Sequence, residues 1–416
     1  MAKELPDRLA SLYRVGQVIN SSLVLDEVLG LVIDNLIEVT GAERGAILLL
    51  DERGDLVVRA ARSLDHMTLT GASFQTSRSI LREVATTGLS RLISDASREL
   101  PAFESVLMHH LISVLCAPLL VRGAVRGVLY VDHRLTTGAF MEDDQQLLEA
   151  FAGQAAVAIE NARLYQELAE QERQRRELEI ARSMQASLMP SELPAPAGFE
   201  LAGACVPARH VGGDFFDAFS PTEHETVVFL GDVSGKGVPA ALLMGMVRSV
   251  LRAEVQRGAS LPEVIRLCNR ALYRDFVATG TFATLVLGRL NPIEGEFSYV
   301  NCGHCEPILW QAEQRSIGYL AGDGLPLGIV EELVTSERAV RLRPGDVLVI
   351  YSDGFSEAKA ENGDRFGVER LAEVLGPMVD LSAQVILDEI GNAVDRFVLQ
   401  EPQSDDQTIM VVRAVG

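Results

Sequence analysis

The amino-acid sequence predicts an α+β protein in which two globular parts are joined by one long helix. Short β-rich runs and apolar helical repeats occupy residues 12–140 and return from Phe199 onward. Between them a helical pattern runs from Asp143 to Met189, and its last part, from Glu170, contains neither Gly nor Pro. We therefore predict a first domain over residues 1–165, a helical linker over 166–190 and a second domain over 191–416.

The first part should contain a helix followed by two hairpins. Residues 12–40 carry apolar side chains at helical spacing. The stretch GAILLLDERGDLVVRAA, residues 45–61, has two β-rich runs around a polar turn. The stretch SVLCAPLLVRGAVRGVLYVD, residues 113–132, repeats that pattern with Arg122 and Gly123 in its turn.

The linker is highly charged but retains an apolar stripe. The stripe includes Leu164, Leu168, Leu178 and Met184, and a helix with that much apolar surface is expected to pair with a second copy. The proline-rich stretch SELPAPAGFE then ends the helix near residues 190–198.

The second part alternates short strands with amphipathic helices. Helices are predicted over residues 238–256, 261–276 and 367–399. The predicted strands are FELAGACV, TVVFLGDV, TFATLVLGRL, EFSYVN, PILW, DVLVIY and QTIMVV. This mixture predicts sheets at the core with helices outside them.

Composition excludes several classes of function. The net charge of −21 argues against nucleic acid as a partner. The apolar runs are too short to span a membrane and the N-terminus lacks a signal core, so we expect a cytoplasmic protein without membrane segments. Cys302 and Cys305 form CGHC, but no second ligand pair accompanies them, so we predict ordinary buried thiols.

Aspartates next to β-rich runs are the candidate chemical groups. Asp214, Asp232 and Asp353 each stand near a glycine at the start or end of such a run, and Asp405 and Asp406 precede QTIMVV. Carboxylates that converge repel one another, and hard divalent cations such as Mg²⁺ or Mn²⁺ relieve that repulsion. The glycine-rich GDVSGKG around Asp232 does not have the spacing of a P-loop. A metal site is therefore the favoured interpretation, although each aspartate alone is also typical of a turn.

Residues 10–165 resemble a GAF domain, a small sensory α/β module. The motifs are APLLVRGAVRGVLYVD and AFMEDDQQLLEAFAGQAAVAIENARLY. The resemblance implies a regulatory domain, and it leaves the ligand or signal unassigned. Where cyclic-nucleotide-binding members carry an Asn-Lys pair, this sequence has Asp132 and His133.

Residues 180–416 resemble SpoIIE-like, RsbU-type serine/threonine phosphatases of the metal-dependent PPM superfamily. The ordered motifs are PARHVGGDFFDAF, GDVSGKGVPAALLMGMVRSVLRA, TFATLVLGRLN, NCGHCEPIL, GLPLGI, RPGDVLVIYSDGFSEAKAENGDRFGVERL and SDDQTIMVV. The resemblance implies a β-sandwich flanked by helices. It also implies two Mn²⁺ or Mg²⁺ ions, with Asp232 and Asp353 as the catalytic residues that hold them.

The same resemblance assigns the remaining ligands. The Val233 carbonyl should be a neighbouring ligand to Asp232, and Asp405 should hold the metals from another strand end. Asp214 should approach the second metal directly or through water. We prefer Asp405 to Asp406, because relatives often carry Asn at the second position. Asp217 should point to the other face of an extended strand and be structural.

The implied function is hydrolysis of a phosphoserine or phosphothreonine by a water activated between two metals. The family suggests a phosphorylated STAS-domain anti-anti-sigma factor as the substrate, in a protein that dimerises through its linker. The alternatives are a scaffold without catalysis and a two-metal hydrolase of small nucleotides. His304, Lys236 and Arg209 are weaker candidates for a proton donor or phosphate contact.

Overall fold

The computed structural model describes residues 25–51, 53–69, 77–95, 112–399 and 401–415. The chain divides into two units, Met1–Arg173 and Gln174–Gly416. This division falls inside the predicted linker, and the domain boundaries at residues 165 and 190 stay predictions. The helical spacing predicted over residues 12–24 lies outside the described residues.

The first unit is built on an antiparallel sheet of five strands in the order β2-β1-β5-β4-β3. The strands are β1 (Arg44–Leu50), β2 (Leu56–Ser63), β3 (Arg91–Ile93), β4 (Ser113–Val121) and β5 (Ala124–His133). The helices are α1 (Leu25–Thr40), α2 (Arg78–Thr87) and the first part of α3 (Glu142–Leu188), which continues into the second unit. Both predicted hairpins are present.

Alternation along the strands gives this sheet two apolar faces. Ile47 and Leu129 pack with residues of α1 and α3, whereas Leu48 and Val128 pack with residues of α2. The second hairpin turns at Arg122 and Gly123, whose φ values of +50° and +82° match a two-residue turn that needs positive φ.

A buried ion pair crosses the same sheet. Asp132 is fully buried and accepts hydrogen bonds from Nε of Arg44 at 3.0 Å and from the Tyr130 hydroxyl at 2.8 Å. Asp132 therefore has a structural role at the position where cyclic-nucleotide-binding GAF domains carry Asn.

The second unit contains two antiparallel sheets of five strands each. The first has the order β13-β10-β9-β8-β7 and the second the order β12-β11-β14-β15-β6. The strands are β6 (Phe199–Val206), β7 (Asp214–Thr222), β8 (Glu225–Val233), β9 (Ala283–Asn291), β10 (Glu296–Cys302), β11 (Ile308–Gln311), β12 (Ser316–Tyr319), β13 (Arg338–Arg341), β14 (Val347–Tyr351) and β15 (Gln407–Ala414).

Helices cover the outer faces of both sheets. These are α4 (Val238–Gln256), α5 (Leu261–Thr279), α6 (Asp353–Ser356), α7 (Gly367–Leu375) and α8 (Ala383–Val398). Val228 and Ile350 belong to an apolar core that contains residues of both sheets, whereas Phe229 packs with α4 and α5 and Val349 packs with α7 and α8. The predicted α+β class, with a β-sandwich flanked by helices, is confirmed.

The sequence prediction differs from the structure near the C-terminus. The single helix predicted over residues 367–399 is two helices, α7 and α8, separated by a 3₁₀ turn at Gly376–Met378. Pro377 lacks the N–H that a continuing helix would need, and Ser382 caps the start of α8. In the described part of the chain no helix is long and apolar enough to cross a membrane.

Candidate metal centre

Two aspartates stand opposite each other at one end of the first sheet of the second unit. Asp214 begins β7, and its register partner on β8 is Asp232. Directly opposed residues of an antiparallel pair share one face, so the two carboxylates point the same way. Asp214 is 2% exposed, and its Oδ2 atom has no hydrogen-bond partner among the described residues.

This arrangement disfavours two negative charges. Burial, and then the charge of Asp232, raise the pKa of Asp214 well above its ordinary value, while nearby hydroxyls of Ser352 and Thr408 partly offset the rise. Burial and the charge of Asp353 raise the pKa of Asp232 to about 7. The pair therefore costs free energy when both groups are ionised and no cation is present.

The second sheet brings further carboxylates to the same cluster. β14 and β15 are paired, with Tyr351 opposite Ile409. Asp353 stands two residues after the end of β14, and Asp405 two residues before β15. Burial and the charge of Asp405 raise the pKa of Asp353, and the Lys236 ammonium partly offsets this. Strand ends from both sheets thus supply one acidic cluster, made of Asp214, Asp232, Asp353 and Asp405.

Two consecutive glycines allow the backbone to approach this cluster. A Cβ atom at Gly213 would lie 2.3 Å from the Val233 carbonyl oxygen and 3.0 Å from Oδ1 of Asp232. A Cβ atom at Gly212 would lie 1.8 Å from Oδ2 of Asp406. Only glycine leaves room at these two positions, and the Val233 carbonyl oxygen and the Asp232 carboxylate both lie close to Gly213.

Asp405 and Asp406 have different environments. Oδ1 of Asp406 accepts a hydrogen bond from the Ala208 N–H at 2.8 Å, and its Oδ2 accepts one from the Gly213 N–H at 2.9 Å. Both carboxylate oxygens of Asp406 are therefore occupied by backbone N–H groups. The Asp405 side chain is 46% exposed and forms an ion pair with Lys236 at 3.0 Å. This geometry favours Asp405 as the metal ligand, and the choice stays a prediction.

Asp217 lies apart from the acidic cluster. It is fully buried, and its Oδ2 accepts a hydrogen bond from Arg252 at 2.7 Å and forms an ion pair with Arg248 at 2.8 Å. Both arginines belong to α4, so this carboxylate joins the sheet to the helix. The structural role expected for Asp217 agrees with these contacts.

The surroundings of His304, Cys302 and Cys305 favour packing roles over chemical ones. Nδ1 of His304 is 2.7 Å from the Thr284 hydroxyl, and Thr284 is the register partner of Asp232 on β9. Burial lowers the pKa of His304 to about 4, so its ring is neutral at neutral pH. Cys302 is buried, Cys305 is half-buried, and burial raises the pKa of each thiol to about 12.

Comparison with known proteins identifies the two parts of the chain. The family model for stage II sporulation protein E (SpoIIE) matches residues 222–415, and the GAF domain model matches residues 24–159. The phosphoserine phosphatase RsbU of Bacillus subtilis (strain 168) is 30% identical over 241 residues, which cover 57% of this chain and 70% of RsbU. The chain belongs to the RsbU-type SpoIIE family. Both resemblances predicted from the motifs are confirmed.

One further relative and one solved structure extend this result. Protein IcfG of Synechocystis sp. is 30% identical over 267 residues, but the chain spans 41% of the length of IcfG. The SiaA-PP2C domain of Pseudomonas aeruginosa is 20% identical, with a TM-score of 0.51 over 59% of this chain and 98% of that domain. The second unit of this SpoIIE-family chain therefore has the PP2C fold.

The SpoIIE-type acidic cluster suits a divalent cation by its donor chemistry. Its donors are oxygens, which Mg²⁺ and Mn²⁺ prefer, and the unpaired Oδ2 of Asp214 is a buried acceptor that a cation would satisfy. Among the described residues, no three His, Cys, Asp or Glu side chains are grouped closely enough to hold an ion as they stand. The donor chemistry of these residues fits a divalent cation, but their carboxylates would have to move closer together to hold one.

Gln185 is a site residue that the sequence did not reveal. It lies in the last turns of α3 and is 7% exposed. Its Nε2 donates to the Gly212 carbonyl oxygen at 2.8 Å, and its Oε1 accepts from the Gly212 N–H at 3.0 Å. The helix that begins in the first unit therefore binds the backbone two residues before Asp214. The sequence offers only the position of this glutamine directly after Met184 of the apolar stripe.

Proposed function

We propose that this chain is a divalent-metal-dependent protein phosphatase that acts on phosphoserine or phosphothreonine and is regulated by its GAF domain. The observation that carries the proposal is the acidic cluster at the strand ends of the second unit, with the buried Oδ2 of Asp214 left without a partner. Membership in the family of the phosphoserine phosphatase RsbU supports the reaction class.

The proposed roles follow from the surroundings of each side chain. Asp214, Asp232, the Val233 carbonyl, Asp353 and Asp405 would hold two Mn²⁺ or Mg²⁺ ions. Bound divalent cations would supply Lewis-acid activation of the attacking water. Asp406 would fix the backbone that carries Asp214, because it accepts the N–H groups of Ala208 and Gly213. The neutral, buried ring of His304 supports a positioning role rather than proton donation.

We also propose the partners. The family suggests a phosphorylated STAS-domain anti-anti-sigma factor as substrate. A second copy would pair along α3, where Leu164, Leu168 and Met184 are 39%, 56% and 66% exposed. The ligand or signal of the GAF domain is left unassigned.

The decisive experiment compares substrates and metals on the full chain. A phosphoserine peptide, a phosphorylated STAS protein and a nucleoside triphosphate are incubated with Mn²⁺, with Mg²⁺ or with a chelator. We expect turnover of the phosphoprotein with metal, none in the chelator, and near-complete loss in Asp232→Asn and Asp353→Asn. Preferred turnover of the nucleotide would favour a small-molecule hydrolase, and absence of any turnover with retained partner binding would favour a scaffold.

A further inference from the structure

Lys236 lies at the edge of the acidic cluster and contacts one of its members. Its Nζ is 3.0 Å from Oδ2 of Asp405 and donates to the Ser404 carbonyl oxygen at 2.8 Å. The side chains of the ion pair are 42% exposed for Lys236 and 46% exposed for Asp405. The ammonium can therefore leave the carboxylate without disturbing the apolar core.

The turn that carries Lys236 holds it close to the cluster. Strand β8 ends with Asp232 and Val233, and Lys236 is the third residue after this strand. The lysine is flanked by Gly235 and Gly237, whose φ values are +107° and +81°. Residues with a Cβ rarely adopt these conformations, so the path of the turn depends on both glycines.

The positive charge of Lys236 also bears on how an anionic substrate would approach the acidic cluster. A phosphoryl group that approaches Asp232, Asp353 and Asp405 meets negative charge and needs a cation that can bind its oxygens. Asp232, Asp405 and Glu357 place negative charge around Asp353, whereas Lys236 places positive charge there.

We propose that Lys236 is an exchangeable counter-ion. It neutralises Asp405 in the metal-free chain, and it moves to the phosphoryl oxygens of the substrate when a divalent cation takes Asp405. Both halves rest on the proposed assignment of Asp405 as a metal ligand, and the second half rests in addition on the proposed phosphatase function. An exposed ion pair with only a structural role would affect neither metal affinity nor substrate binding.

The first test measures metal affinity without substrate. Mn²⁺ is titrated into the full chain by calorimetry for the wild type, Lys236→Met and Lys236→Arg. We expect Lys236→Met to lower the Kd about two- to tenfold, because the ammonium no longer competes for Asp405, and Lys236→Arg to resemble the wild type. The matched control is Arg266→Met, which breaks an exposed ion pair with Glu263 on α5 and should leave the Kd unchanged. An unchanged Kd in Lys236→Met would overturn the counter-ion role.

The second test separates KM from kcat with a phosphoserine peptide at saturating Mn²⁺. We expect Lys236→Met to raise KM about tenfold or more, as expected for loss of a hydrogen bond to a charged group, with a smaller change in kcat. Lys236→Arg should keep most of the affinity. An unchanged KM in Lys236→Met refutes the substrate contact. If the wild type hydrolyses no phosphopeptide, the proposed function fails, while the Mn²⁺ titration still decides whether Lys236 competes with metal.

Discussion

Replacing Asp232 by Asn should abolish phosphatase turnover and yet stabilise the metal-free chain. In the folded protein, burial and the charge of Asp353 raise the pKa of Asp232 from 3.8 to about 7. A raised carboxyl pKa means that folding favours the protonated form. The contribution of Asp232 to the free energy of unfolding is therefore fully present below about pH 4, is lost as the pH rises to about 7, and stays lost above that. Asn is neutral at every pH and removes this loss.

The size of the effect follows from the shift in pKa. Each unit corresponds to about 1.4 kcal/mol, so a rise from 3.8 to about 7 amounts to about 4 kcal/mol above neutral pH. For a folding unit of the size of Gln174–Gly416, each kcal/mol shifts the Tm by about 2–4 °C. We expect a Tm about 8–16 °C higher for Asp232→Asn at pH 8 in a chelator, and a much smaller difference near pH 4.5.

Thermal unfolding of the full chain in a chelator, at several pH values and then with added Mn²⁺, measures this prediction. Added Mn²⁺ should stabilise the wild type more than the variant. The control is Asp217→Asn, which removes a fully buried carboxylate from the same strand pair but leaves Arg248 and Arg252 without their partner. That variant should lose about 3 kcal/mol. A metal-free Asp232→Asn chain that is less stable than the wild type at pH 8 would refute the electrostatic argument.

Three further predictions concern the linker and the choice of ligand. Inserting two residues near Gln174 turns the following helix by about 200° and should change basal activity or its response to the GAF domain, whereas inserting seven residues should largely preserve the phase. If both insertions leave activity, Mn²⁺ affinity and the response to the GAF domain unchanged, the linker is a passive tether. Leu168→Asp should convert a dimer into a monomer, as measured by light scattering at micromolar concentration, and an unchanged mass would argue against pairing along α3. Asp405→Asn should weaken Mn²⁺ binding with little change in metal-free Tm, whereas Asp406→Asn should mainly lower the Tm; the reverse result in calorimetry and thermal unfolding would make Asp406 the ligand.

Most strands of the second unit could be predicted because their apolar runs are buried. FELAGACV coincides with β6, Phe199–Val206, and DVLVIY contains β14. The strands absent from the prediction include β12 and β13, which have four residues each and lie at sheet edges. β12 is mostly half-buried and β13 is mostly exposed. Short edge strands have little apolar pattern, because their position depends on pairing with a neighbour rather than on burial.

The candidate site was predictable in its members but not in its arrangement. A strand end beside a glycine indicates where a carboxylate can be held, and this pattern picks out Asp214, Asp232 and Asp353. Whether these ends meet depends on how the two sheets stack, which no local pattern encodes. The different environments of Asp405 and Asp406 likewise depend on the backbone N–H groups of Ala208 and Gly213, which are nearly 200 residues away in the chain.

The position of Gln185 also depends on a contact between distant segments that no local pattern encodes. The same contact links α3 to the backbone before Asp214. A polar side chain on an amphipathic helix is normally predicted to face water, and Gln185 is buried because the Gly212 backbone offers it both a donor and an acceptor. Asp406 holds the next residue, Gly213, from the other side. The backbone that leads into Asp214 is thus fixed by one side chain from α3 and one from the segment before β15. Gly212 and Gly213 have no room for a Cβ, so the backbone before Asp214 is closely packed. We therefore predict that a rotation of α3 reaches Asp214 through the Gln185–Gly212 hydrogen bonds and changes the affinity for metal.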